Sequence, residues 1–279
     1  MVKYCRYCGA ENNDDARACE KCGESFKEGL SQETEMGLTE ILGRSLHFIR
    51  TSPQILLLYI LYSVAFLLSI RAVISVLILV PDQTYIIIDF ILILILIVIF
   101  VFVGVLVYSI LIFCVRDYMC SNDISLSTAW NNTKKHIKGL VLLTLLLIVF
   151  GIVLGLISVF IFFALCHLNW FVGLVTMIAL MFLIVFILIF VYPAFLVDEF
   201  GYIKSFEQSW RVAKRNALDV ILLIIIFGFL NYVLEKIAGI SPSLIILVGI
   251  MVLSIFLSTY QYTCVTILYI NRAHLEEEW

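Results

Sequence analysis

Eight cysteines occur in the chain, and four of them stand in a pattern that can do chemistry. Cys5-Arg6-Tyr7-Cys8-Gly9 and Cys19-Glu20-Lys21-Cys22-Gly23 are two CxxC-Gly knuckles separated by ten residues. In each knuckle two thiolates can converge on one ion, and the following glycine accepts the turn that closes the loop. Together they supply an all-thiolate tetrahedron, which suits zinc and leaves no position open for water. Cys5, Cys8, Cys19 and Cys22 are therefore the candidate ligands of one structural Zn2+. Four unligated thiols, a pair of disulfides and a rubredoxin-like iron site are the competing readings. Segment 1–26 has too few apolar residues to fold by burial, so metal binding would supply its folding energy. With the adjoining Lys27 its charges are close to balanced, with Lys3, Arg6, Arg17, Lys21 and Lys27 against Glu11, Asp14, Asp15, Glu20 and Glu24. That balance fits a protein contact better than nucleic-acid binding.

On these residues the stretch Tyr4 to Phe26 resembles a short zinc-ribbon family found at the N-terminus of membrane and regulatory proteins. The approach Asp15-Ala16-Arg17-Ala18-Cys19 is similar to that family's DA-x-x-C pattern, while Arg6 and Glu20 stand where prolines are common.

No second set of this kind follows. The histidines His47, His136, His167 and His274 are scattered, and neither HExxH, a P-loop nor GxSxG is present. The expectation is a protein that is not an enzyme. Two ionisable residues fall inside apolar segments, Arg71 and Asp89, which can pair across a hairpin or snorkel to headgroups.

The elements that must carry these residues are mostly apolar. The 279 residues are 63% hydrophobic and 14% charged, with a mean hydropathy of +1.09. A soluble domain is about 45–50% apolar and about 25% charged, so the excess must face lipid. Six segments reach the roughly 20 apolar residues a span needs: 54–80, 85–115, 140–165, 170–197, 218–234 and 243–270. The polar start shows no apolar signal-peptide core, so the first span would serve as the insertion signal. The predicted organisation is a zinc ribbon at 1–26, a flexible linker at 27–37 rich in Glu, Ser, Gln and Gly, and a six-span membrane domain at 38–279.

Charge orients the spans. With the N-terminus inside, the inner islands hold Arg44, Arg50, Arg116, Lys134, Lys135, Lys138, Lys204, Arg211, Lys214, Arg215 and Arg272, and the outer side keeps Arg71 and Lys236. The positive-inside rule places both termini in the cytoplasm of a multi-pass cell-membrane protein, where reduced thiolates stay available for metal.

Basic amphipathic stretches at about 38–51, 124–138 and 202–216 each run into a span. Their predicted apolar stripes are Leu38, Ile41, Leu42, Ser45 and Ile49; Leu126, Ala129, Trp130, Thr133 and Ile137; and Ile203, Phe206, Trp210 and Ala213. Such helices lie in the interface, so Arg50, Lys134, Lys135, Lys138, Trp210, Arg211, Lys214 and Arg215 are candidates for contact with anionic headgroups. Aligning Leu46, Thr133 and Trp210 suggests a threefold helix-plus-hairpin repeat with parallel units.

The run Tyr192-Pro193-Ala194 through Asp198-Glu199-Phe200-Gly201 to Ser205-Phe206, Ser209-Trp210 and Asn216 resembles a six-span domain family, seen alone and fused to some glycerophosphodiester phosphodiesterases. In the fused enzymes catalysis belongs to a separate soluble domain, so the resemblance implies a membrane scaffold and transfers no active site. The expected function is a non-enzymatic membrane scaffold or membrane-organising protein, whose ribbon contacts a cytoplasmic protein. A small transporter or lipid-handling permease is the alternative, and it predicts a polar cavity on the pseudo-symmetry axis reaching mid-membrane.

Overall fold

In a bilayer every backbone N–H and C=O must be paired within the protein, and long apolar runs do this only as helices. The computed structural model follows that rule. It describes residues 2–4, 11–13, 36–79, 86–121, 124–166, 169–240 and 244–273, with side chains described over 36–69, 93–120, 124–165, 169–239 and 246–273.

A two-stranded hairpin pairs β1 (Val2–Tyr4) antiparallel with β2 (Glu11–Asn13), in the register Val2↔Asn13, Lys3↔Asn12 and Tyr4↔Glu11. The helices are α1 (Leu38–Thr51), α2 (Pro53–Leu79), α3 (Ile86–Ser121), α4 (Leu126–Cys166), α5 (Trp170–Leu188), α6 (Val191–Val197), α7 (Tyr202–Arg215), α8 (Ala217–Ile240) and α9 (Leu244–Ala273). Five helices among the described residues are long and apolar enough to cross a membrane, and α1 with the first part of α2 makes a bent sixth candidate. The chain is a multi-pass helical membrane protein.

The break between α1 and α2 turns the chain by 81°. Its cause is Pro53, which disfavours helical backbone at the residue before it; Ser52 sits at φ −128, ψ 60. Between α7 and α8 the break falls at Asn216, whose side-chain amide donates to the Val212 carbonyl at 2.9 Å. The middle stretch behaves differently. Instead of a short helix at 124–138 followed by a span, α4 runs unbroken for 41 residues, about 60 Å at 1.5 Å per residue. It has neither a proline nor a capping asparagine where the break would come, only Gly139, and there the Phe195 ring packs onto the helix. The fifth span is also longer than its apolar run, because α8 continues through Glu235 and Lys236 to Ile240. Both are good helix formers that can carry their charge out to the surface.

The buried residues gather at one end, here termed the basic end. Leu111 to Val115 of α3, Leu140 and Leu143 of α4, Phe190 to Leu196, and residues 263–273 of α9 lie there with the inward stripe of α1. Toward the other end the helices show exposed Leu, Ile, Val and Phe, as in Leu156, Phe160, Phe171, Ile178 and Phe229, which is the surface lipid covers. Helix α9 is the hub, packing against α1, α2, α3, α6, α7 and α8.

Candidate functional site

Three features could carry function: the ribbon, the basic end and a cavity above it. The four candidate zinc ligands, Cys5, Cys8, Cys19 and Cys22, lie outside the described residues, but the flanking hairpin is described. The Tyr4↔Glu11 pair closes a six-residue loop, 5–10, that carries Cys5, Cys8 and Gly9. Among the described residues, no group of three or more His, Cys, Asp or Glu could hold a metal ion.

At the basic end the interface candidates stand outward. Arg50, Lys134, Lys135, Lys138, Arg211, Lys214 and Arg215 are exposed, as is Trp210, and Lys134 lies 5.1 Å over the Trp130 ring. The helices themselves are turned more toward protein than their sequence stripes suggest. In α7 the buried stripe is Ser205, Ser209, Val212 and Ala213, while Ile203 is 84% exposed. Ile203, Phe206 and Trp210 form a neighbouring strip, with Lys204 and Arg211 beyond it. In α1 the buried set is Ile41, Ser45, Phe48 and Ile49; the helix is tied to α9 by Tyr260 Oη donating to the Leu42 carbonyl at 3.0 Å, and to α3 by a hydrogen bond shared between His47 Nδ1 and Tyr118 Oη at 2.9 Å.

The buried stripes of the three helices share one position. Ser45, Thr133 and Ser209 are each the eighth residue of their helix, and each is fully buried. Thr133 thus aligns with Ser45 and Ser209, one residue away from the alignment on Leu46 and Trp210. The match between α1 and α7 extends over whole helices: both have 14 residues, both are preceded by an extended glycine, and the four buried residues fall at the same four positions.

The Tyr192-to-Asn216 motif resolves into a structural joint. Pro193 sits in the first turn of α6, where its missing N–H is no loss. The break before it leaves backbone groups to satisfy, and Ser209 takes both. Its hydroxyl donates to the Ile187 carbonyl at 2.6 Å and accepts from the Phe190 N–H at 3.2 Å. Glu199 takes a positive φ of 53°, and Gly201 precedes α7.

The end of α9 ties three elements together. Tyr269 donates its hydroxyl to Asp198. Arg272, only 8% exposed, meets Asp219 at 2.9 Å and the Met36 carbonyl at 3.0 Å. Asn271 Oδ1 accepts from the Met36 N–H at 3.2 Å. Met36, at the end of the segment leading from the ribbon, is 2% exposed, so the chain is clamped to α9 before α1 begins. Sequence reasoning treated Arg272 as one more inner charge; nothing local marks it as a partner of residues 53 and 236 positions away.

Above the basic end lies a cavity of about 620 Å3 between α2, α3, α5, α6, α8 and α9. Tyr59, Tyr62, Tyr108, Tyr192 and Tyr262 line it. Asn231 and Gln261 add two amides, and no Asp, Glu, Lys, Arg or His is among the lining residues. The phenols are set by packing. Tyr108 meets Tyr262 at 4.7 Å between ring centroids and Tyr192 edge-on at 5.8 Å. Tyr62 donates to the Phe100 carbonyl at 3.0 Å, in space that a side chain at Gly104 would close, its Cβ falling 2.7 Å from the phenol oxygen. Tyr192 shares a hydrogen bond with Thr144 at 3.1 Å. Tyr108 lies eight residues before Arg116 and Val101 fifteen, so the cavity extends from about 12 to about 22 Å along α3 from that charge. The Arg71/Asp89 pair cannot be added to it: Arg71 falls on α2 and Asp89 on α3, with both side chains outside the described residues.

Comparison with known proteins bears on the N-terminal segment. Residues 4–26 match the family model of the zinc-ribbon domain. No curated protein and no solved structure matches the chain, so the likeness of the membrane domain to that of glycerophosphodiester phosphodiesterases has no support from these comparisons. The chain carries a zinc-ribbon domain at its N-terminus, followed by a helical membrane domain.

Proposed function

We propose that the protein is a non-enzymatic membrane scaffold that presents its zinc ribbon at the cytoplasmic face to contact a soluble protein. The observation that carries this reading is the clamp on Met36. A ribbon on a free tether would need no anchorage, yet both backbone polar groups of Met36 are held by Asn271 and Arg272. The chain leading from the ribbon is thereby held to α9 at the basic end, where the exposed bases of α1, α4 and α7 would rest on anionic headgroups. Zinc on Cys5, Cys8, Cys19 and Cys22 would fold the contact surface and take no part in a reaction.

The test compares proteins captured by the full chain, by a variant lacking residues 1–30 and by Cys5→Ser/Cys8→Ser, all reconstituted in nanodiscs. A partner should be lost from both variants together, while membrane insertion stays unchanged. Identical captures from all three would refute recruitment. The cavity favours a second reading, a lipid-handling permease, and it raises a separate question of what the cavity binds.

A further inference from the structure

Buried polar groups in proteins are nearly all hydrogen-bonded, and the exceptions need an explanation. The tyrosine-lined cavity holds such an exception. Tyr59 is 93% buried, and its hydroxyl has no hydrogen-bond partner among the described residues. It lies beside the phenols of Tyr62, Tyr108 and Tyr262, with its ring stacked on Tyr262 at 6.2 Å. The half-buried amides of Asn231 and Gln261 line the same wall. Three groups able to donate and accept thus face one space inside a bundle whose outer surface is apolar. Within a hydrocarbon environment that arrangement is costly unless something fills the space and pairs with them.

We propose that this cavity is a binding site for an uncharged amphiphile drawn from the bilayer. Its polar end would carry hydroxyl or carbonyl oxygens and pair with Tyr59, Asn231 and Gln261. Three observations select that chemistry. The lining has no fixed charge, so an anionic or cationic headgroup would be stripped of water with nothing to neutralise it. The wall is otherwise aromatic and aliphatic, through five tyrosines and residues such as Val101, Ile184 and Leu188. The volume of about 620 Å3 lies in the range of sites that enclose molecules of a few dozen heavy atoms. Access from the side is available, because α5 and α8 both contribute to the wall without substantial packing against each other. The acyl tails would leave through that seam. This proposal goes beyond the scaffold reading and does not depend on the ribbon.

The experiment uses the full-length, zinc-loaded protein in phosphatidylcholine nanodiscs with a diacylglycerol probe bearing a photoactivatable acyl chain. Crosslinked peptides are mapped by mass spectrometry. Labelling should saturate, concentrate on α3 and α9 around Tyr108 and Tyr262, and be competed by unlabelled diacylglycerol but not by phosphatidylglycerol. Asn231→Leu/Gln261→Leu should weaken the label about tenfold and Tyr59→Phe about threefold, as expected for lost hydrogen bonds. Val149→Ala, on the lipid-facing side of α4, should change nothing. Unsaturable labelling spread over the outer helices, equal competition by the anionic lipid, or no effect of any cavity variant would each overturn the site. If the double variant fails to fold, saturation and competition on the unaltered protein, together with Tyr59→Phe, still decide the question. Loss of the ribbon's partner in the previous experiment would leave all these outcomes unchanged, so the two readings fail separately.

Discussion

Ser209 shows what one hydroxyl does at a helix break. With Pro193 ahead, the chain cannot continue α5 into α6 as one helix, and the Ile187 carbonyl and Phe190 N–H lose their helical partners. Ser209 reaches across from α7 and supplies both bonds. Ser205 is equally buried on the same stripe, but its hydroxyl bonds back to the Gly201 and Phe200 carbonyls of its own segment. The two serines should therefore respond differently to substitution. Ser209→Ala leaves a buried donor and acceptor unpaired and should cost about 1–3 kcal/mol, whereas Ser205→Ala should cost under about 1 kcal/mol. Thermal melts in one detergent would show the difference, and equal losses would mean that the joint does not depend on this hydroxyl.

At the scale of elements, close approach decides which glycines matter. Gly139 lies where α4 meets the Phe195 ring, and a Cβ there would fall 2.6 Å from the ring carbon Cζ. Gly151 and Gly155, twelve and sixteen residues along the same helix, would meet nothing within 4 Å. Gly139→Ala should destabilise by about 1–3 kcal/mol through overpacking. Gly151→Ala should be neutral or stabilise by up to about 1 kcal/mol, because alanine is the better helix former. A melt in which Gly151→Ala loses as much as Gly139→Ala would contradict the packing described here. The same comparison explains what was legible in the sequence. The spans were readable because lipid imposes a composition on every residue of a span, and the ends of α1 and α7 because Pro53 and Asn216 act locally. The unbroken α4 was not readable, since its charge pattern matches that of α1 and α7 and only the lack of a breaker distinguishes it. The cavity was hidden further still. Its tyrosines lie at 59, 62, 108, 192 and 262, and nothing nearby in sequence tells that they face one another.

The molecule as a whole combines two ways of folding. The helical domain is held by apolar packing at the basic end and by the α9 hub, whereas segment 1–26 has few apolar residues to bury and, on the proposed reading, would fold around its metal. The junction between them is Met36, and its anchorage to Asn271 and Arg272 belongs to the helical side. Removing the metal should therefore unfold the ribbon and stop there. With a strong chelator the chain should release one zinc per molecule and expose four titratable thiols at Cys5, Cys8, Cys19 and Cys22. The helical domain should keep its helical signal and its melting temperature to within about 2 °C, a shift that corresponds to less than about 1 kcal/mol at this size. Arg272→Met should do the reverse. It leaves the partly buried Asp219 unpaired and frees the Met36 carbonyl, costing about 2–4 kcal/mol in the bundle while zinc content stays at one. Parallel measurement of zinc content and melting in the two samples separates the cases. If chelation alone lowers the bundle's melting temperature by about 5 °C or more, the ribbon and the helices are one cooperative unit and the clamp transmits stability in both directions.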